Sequence, residues 1–313
     1  SNNGTTPKVR DVVINEIMFN PISRDDNDEF IELHNKGAST ANVGYWRFTQ
    51  GIDYTIPAGT TIPAGGYLVV AKNRLQVLAN NTNLASSKVV GDYSGTLANG
   101  GERVVLSMPD NVAGDPYDDY VMVDEVDFKD WWAEWADGGG SSMELRDPRS
   151  DNNRASNWRS SDESQKAPWS TVEVIGNLDN EDVAVNAGWT GTDFYLKQAV
   201  IFLQGDGECL VDELRVYRGG SELGIVQNAD LNGGDGSWHI QGNHKTSAWE
   251  SNTGWGNSGC IHLRASGRGE PRISSLGARL NGGLNVNDSN VKLSLKARWI
   301  CGNPSLNLRL SGN

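Results

Sequence analysis

The chain has 313 residues, 37 of them glycine, and its 27 basic and 40 acidic side chains give a formal charge of −13. That length predicts roughly two domains, each long enough to bury a core. The negative sum argues against nonspecific nucleic-acid binding by the whole chain, and no apolar run approaches the roughly 18 residues that cross a bilayer as a helix.

Strand-like runs separated by turn chemistry dominate the first half. "DVVINEIMF" (11–19) stops at Asn20-Pro21, and "EFIELHN" (29–35) ends in Lys36-Gly37. In the latter, Ile31 and Leu33 share one face, while Phe30, Glu32 and His34 share the other. "VGYWRFT" (43–49) and "DYTIPAGTTIPAGGYLVVAKN" (53–73) follow, with Pro57, Gly59, Pro63, Gly65 and Gly66 setting bends that no helix tolerates. "NRLQVLANN" (73–81) is the one stretch that reads as a helical turn or two. "GERVVLSM" (101–108) and "VMVDEVDF" (121–128) complete an all-β pattern typical of a sandwich. The segment 137–165 is loop-rich and reads as the trailing part of a domain, with 161–170 as the linker.

From Ser170 the texture shifts. "FYLKQAVIFLQGDGECLVDELRVYR" (194–218) reads as two strands joined by a turn at Gly205, Asp206 and Gly207. "VKLSLKARWI" (291–300) alternates: Val291, Leu293, Leu295, Ala297 and Trp299 point one way, and Lys292, Ser294, Lys296 and Arg298 the other. "LNLRL" (306–310) alternates too. The expected domains are 8–160 and 171–313. Charge is uneven between them: residues 228–313 hold nine Lys/Arg and five Asp/Glu, a net of +4 that leaves −17 on the rest. Cys209, Cys260 and Cys301 show no C-x-x-C spacing, so zinc and thioredoxin-like sites are not indicated. One disulfide with a spare thiol and three buried free cysteines both fit.

The runs "VVINEIMFNP" (12–21), "DEFIELHNKG" (28–37), "NVGYWRFTQGIDYTIPAGTTIPAGGYLVVAKN" (42–73) and "YSGTLANGGERVVLSM" (93–108) resemble the lamin-tail domain family. "ADGGGSSMELRDPRSDNNRASNWRSS" (136–161) is similar to the closing segment of its bacterial members. The resemblance implies an immunoglobulin-like β-sandwich without a catalytic motif, an accessory module of a larger secreted or surface protein. In the second half, "GDGECLVDELRV" (205–216), "VQNADLNGGDGSWHIQGNH" (226–244), "SGCIHLRASG" (258–267) and "VKLSLKARWICG" (291–302) resemble galactose-binding-like jelly rolls, which include many carbohydrate-binding modules. Here the apparent last strand precedes the apparent first. Either one jelly roll is circularly permuted, or the tail of one module abuts the head of another.

Candidate sites follow from chemistry and from that resemblance. Glu32 and His34 stand two apart on a strand, as a base and its partner would, but the simpler expectation is an outer strand face. "SRDDNDEF" (23–30) and "NLDNEDV" (177–183) are rich in oxygen ligands yet match no EF-hand, so solvated turns are expected. The jelly-roll resemblance implies a structural calcium at Asp212, with Asn228 and Asp230 as neighbours. Trp46, Trp131, Trp132, Trp135, Trp158 and Trp299 are expected in core or edge packing. By contrast, "HIQGNHKTSAWESNTGWGNSG" (239–259) is polar and glycine-rich, yet carries Trp249 and Trp255. Loop tryptophans stack on the apolar face of a sugar ring, and His239, Asn243, His244 and Lys245 offer hydrogen bonds to its hydroxyls. Arg264, Arg268, Arg272, Lys292, Lys296 and Arg298 would meet an anionic glycan.

The sequence therefore predicts a non-catalytic, extracellular or cell-surface module pair from a bacterium. Its second half is expected to bind polysaccharide, with anionic glycans favoured, and its first half to act as spacer or docking module among others of a larger chain. The competing reading is an adhesion or scaffold fragment that contacts proteins and binds no sugar. An enzyme is not indicated: there is no G-x-S-x-G, no Walker loop and no zinc spacing among the four histidines. Nucleic acid and membrane insertion are not expected.

Overall fold

The computed structural model describes residues 11–110, 119–164, 166–178, 196–282, 284–285 and 288–312. It is all-β apart from short helical turns, and divides into two compact units, Ser1–Asp162 and Glu163–Asn313.

In the first unit a six-stranded sheet runs Trp158–Ser160, Met143–Leu145, Val12–Met18, Phe30–Asn35, Tyr67–Ala71, Val89–Gly91, with only the last pair parallel. A four-stranded sheet runs Tyr120–Asp127, Arg103–Pro109, Arg47–Gln50, Tyr54–Thr55. One buried cluster draws Ile14, Ile17, Ile31, Leu33 and Val70 from the first and Phe48, Val104, Leu106 and Val126 from the second, so the two sheets face each other. Each such side chain contributes roughly 1.5–3 kcal/mol on leaving water. Ile31 and Leu33 are both in this core, and Glu32 is on the opposite face, as the alternation predicts. Trp46 and Trp158 are buried as expected. Trp131 is not: it is 71% exposed, because its 3-10 turn, Asp130–Trp132, turns outward and leaves Trp132 to pack on the core.

The expected helix is Arg74–Asn80, capped by Asn73, whose side chain accepts from the Gln76 N–H at 3.1 Å. The acidic loop before the second strand is fastened to it. Asp25 and Asp28 accept from Gln76 Nε2 at 2.8 and 2.9 Å, and Asp28 from Asn80 Nδ2 at 2.7 Å. The second acidic cluster, at 179–182, lies outside the described residues.

The second unit is also a two-sheet sandwich. Its larger sheet runs Ser170–Gly176, Val291–Gly302, Gly207–Arg218, Cys260–Ala265, Ala248–Glu250, with Ser221–Glu222 paired beside Gly207–Arg218. Its smaller sheet runs Trp238–Ile240, Leu276–Arg279, Leu196–Leu203, Leu306–Gly312. Consecutive strands 196–203 and 207–218 part at the Gly205–Gly207 turn and enter opposite sheets. Val211, Leu263, Leu293 and Leu295 of the larger sheet pack against Ala199, Ile201, Leu276 and Trp238 of the smaller. The three cysteines are buried and form no disulfide with one another.

Candidate functional site

With Leu293, Leu295 and Ala297 turned into the core, strand period sends Lys292, Lys296 and Arg298 to the opposite, outer face of the larger sheet in the second unit. Register extends that face across its neighbours. Asp212 lies opposite Lys296, Leu210 opposite both Arg298 and His262, Glu208 opposite Arg264, and Thr171 opposite Lys296 on the other side. Residues directly opposite share a face.

Two clusters form there. The first is aromatic. The 251–259 loop brings Trp255, 43% exposed, over the sheet so that Lys296 Nζ lies 4.4 Å from its ring centroid. Trp169, just before the first strand, meets Trp255 edge to face at 6.4 Å between ring centroids and an interplanar angle of 75°. Lys296 also donates to Thr171 Oγ1 at 2.8 Å and forms no ion pair with a carboxylate among the described residues. Such a corner offers two ring surfaces beside one positive charge, the chemistry that holds a flat polar ring bearing an acidic group.

The second cluster is ionic. His262 Nε2 lies 2.7 Å from Glu208 Oε2, and His262 Nδ1 lies 2.8 Å from Glu250 Oε1. Arg264 approaches the same carboxylates at 3.5 and 3.2 Å. The hydrogen bond with His262 holds Glu208 below the usual carboxylate range. For Glu250, burial pushes upward, but the bond with His262 and the charges of His262 and Arg264 outweigh it, and the net shift is downward. These acids are therefore ionised and engaged, which suits hydrogen bonding to ligand hydroxyls and not proton donation.

The other residues singled out from sequence are placed elsewhere. Trp249 turns inward against the core, and its Nε1 donates to the Leu231 carbonyl at 2.7 Å. His239 is exposed on the smaller sheet, 3.5 Å from an Arg279 nitrogen. His244 is fully buried: Leu203 N donates to its Nε2 at 3.2 Å, Asn243 Oδ1 lies 2.6 Å from its Nδ1, and burial lowers its pKa to about 4. Asn243 also donates to the Arg268 carbonyl at 2.8 Å, and Lys245 is exposed beside this turn. Arg268 and Arg272 are exposed on the 266–275 connection, while Lys292, on the outer face, is paired with Glu173 at 2.9 Å. Of the predicted ligand contacts, Trp255, Arg264, Lys292, Lys296 and Arg298 share the outer face. Trp169, Glu208, Glu250 and His262 join them. His262 and Arg264 were signalled by the alternation of "CIHLRA"; Trp169 had no signal, since only the pairing of Ser170 with Ala297 sets it beside Trp255.

Asp212, Asn228 and Asp230, the residues expected at a calcium ion, are each engaged by protein partners. Asp212 Oδ1 accepts from Glu213 N at 2.7 Å, and its Oδ2 from Trp255 N at 2.9 Å and Ser258 Oγ at 2.7 Å. The Asn228 side chain donates to the Gly234 carbonyl, and Asp230 accepts from Asn232 N at 3.4 Å. Calcium needs six to eight oxygens free to turn toward it. Here the one deeply buried carboxylate of the set already accepts three bonds from protein donors, which leaves little of it to turn toward an ion. No group of three or more His, Cys, Asp or Glu suited to a metal occurs among the described residues.

Compared with protein-family models, residues 5–130 match the Lamin Tail Domain. The first unit is thereby similar to a non-catalytic, immunoglobulin-like β module. No curated protein and no solved structure matches the chain.

Proposed function

We propose that this chain is a non-catalytic pair of modules whose second unit binds polysaccharide on the outer face of its larger sheet, with the lamin-tail unit as spacer or docking module. One observation carries the reading: Trp169 and Trp255 form an aromatic corner beside Lys296, on the same face as the Glu208–His262–Glu250–Arg264 cluster. Sugar rings stack on such aromatics, and their hydroxyls bond to engaged carboxylates and guanidinium groups. Lys296 favours a glycan carrying carboxylate or sulfate. The jelly-roll resemblance supports the same assignment, and a secreted or surface setting in a bacterium goes with it.

A glycan array probed with the full chain, followed by gel retardation in polygalacturonate and in a neutral glucan, tests this. Retardation by the acidic polymer that weakens with salt is expected; a blank array and unretarded migration in both gels would reject it. The protein-contact reading has its own support in the first unit. Its Tyr120–Asp127 strand is a sheet edge exposing Val121 and Met122, and Trp131 is exposed as well. A blank array together with a defined protein partner would favour it.

A further inference from the structure

We infer that Asp212 is the positioning residue of the aromatic corner: its carboxylate latches the 251–259 loop directly onto the sheet and so sets where Trp255 stands. The binding arm of this inference rests on the polysaccharide reading; the latch itself does not.

By register Asp212 sits on the outer face opposite Lys296, where a carboxylate would ordinarily meet water. It is instead 1% exposed, covered by the loop it holds. One oxygen accepts from both ends of the loop's short turn, Trp255 N and Ser258 Oγ, at 2.9 and 2.7 Å. Hydrogen bonds to an ionised acceptor are about twice as strong as neutral ones, and a buried charge without them is costly. Burial pushes the Asp212 carboxyl up, while the donors from Ser258, Glu213 and Trp255 pull it down.

The loop is shaped for this contact. A Cβ on Gly254 would lie 2.6 Å from the Gly259 carbonyl oxygen and 2.7 Å from Asp212 Oδ2, so only glycine lets the chain close on the carboxylate. At the other end a Cβ on Gly259 would lie 2.7 Å from Trp249 Nε1, the indole staked to Leu231. Trp249, although turned inward, thus anchors one end of the loop while Asp212 anchors the turn. Between the anchors Trp255 is free to expose its ring to Trp169 and Lys296. Asp212 lies on the outer face, so losing its acceptor releases the loop without opening the core behind it.

Hydrogen exchange on the full chain, comparing wild type with Asp212→Ala, Asp212→Asn and Ser258→Ala, tests the latch. In Asp212→Ala, exchange across 251–259 should quicken by about tenfold or more, as expected for losing hydrogen bonds worth a little over 1 kcal/mol, while 260–265 and 291–299 stay protected. Ser258→Ala and Asp212→Asn should fall between, the first keeping the Trp255 bond and the second keeping an amide oxygen to accept it. Retardation in polygalacturonate should weaken in the same order. Unchanged exchange in Asp212→Ala and Ser258→Ala, or loss of protection through every strand at once, would overturn the latch. If wild type is retarded by no polysaccharide, the glycan reading fails and the exchange result still decides the latch.

Discussion

Trp255 carries the sharpest test of the binding face at the level of one residue. Trp255→Ala removes the exposed ring, the contact with Trp169 and the surface over which Lys296 lies. Affinity for polygalacturonate should fall at least tenfold, the usual consequence of losing an aromatic stacking residue, with unfolding temperature little changed because the ring lies outside the core. An unchanged affinity would remove the aromatic corner from the site. Calcium is addressed at the same scale. Since three protein donors already occupy Asp212, unfolding temperature in millimolar calcium should equal that in chelator. A rise of several degrees would restore the ion. Both residues stand out in the sequence, but for different reasons than the structure gives. Trp255 is visible as a tryptophan in polar company. Asp212 is visible as an acid next to a turn, a signal that metal binding and loop anchoring share, and only the donors around it separate the two.

Among the elements, strands with strict alternation were legible and broken ones were not. "VKLSLKARWI" divides into core and outer faces as its pattern states, as far as Ala297, because burial on one side enforces a period of two, whereas Trp299 is half-buried and outside the core cluster. "VVINEIM" hides a bulge: register shifts between Ile14 and Glu16, and its unbroken apolar start gives no sign of where. Beside the shift, Asp124 from the other sheet accepts from Ile14 N at 2.7 Å while accepting from Asn152 Nδ2 at 2.8 Å. Asp124→Ala should therefore cost about 1–3 kcal/mol in denaturant unfolding, the penalty of a buried N–H left unpaired. A cost below about 0.5 kcal/mol would mean that water replaces the carboxylate. The loop 239–259 was misjudged for the converse reason. Its polar composition hides two short strands: Trp238–Ile240, whose partner Leu276–Arg279 is distant in sequence, and Ala248–Glu250, which pairs locally with Cys260–Ala265 across the intervening loop.

For the molecule as a whole, two cores within two compact units predict two unfolding transitions, and the buried ionisable groups predict that these respond oppositely to pH. In the first unit Glu32 faces Glu16, which in turn faces Glu144, three carboxylates in a row across adjacent strands. Burial, and next the charge of Glu16, push Glu32 up to about 8; burial pushes Asp124 up to about 6 and raises Glu29 as well. A folded carboxyl that holds its proton more tightly than the unfolded chain stabilises at low pH. That stability is lost as pH rises from the usual carboxylate range to the folded value, so for Glu32 it drains away between about 4.5 and 8. His34, lowered by burial, opposes this only in part. In the second unit the leading group is His244, buried without charge and lowered to about 4. The unfolded chain takes its proton first, so stability is full at neutral pH and is lost as pH falls from 6.5 toward 4. The lowered Glu208 and Glu250 act in the same direction at the acid end, with Asp212 against them. Calorimetry from pH 5 to 8 should show the first unit's transition moving down as the second's moves up. Glu32→Gln should flatten the first slope and leave the second alone, which identifies each transition. Parallel movement of both transitions, or a single transition at every pH, would show that the two cores do not unfold as separate units governed by these groups.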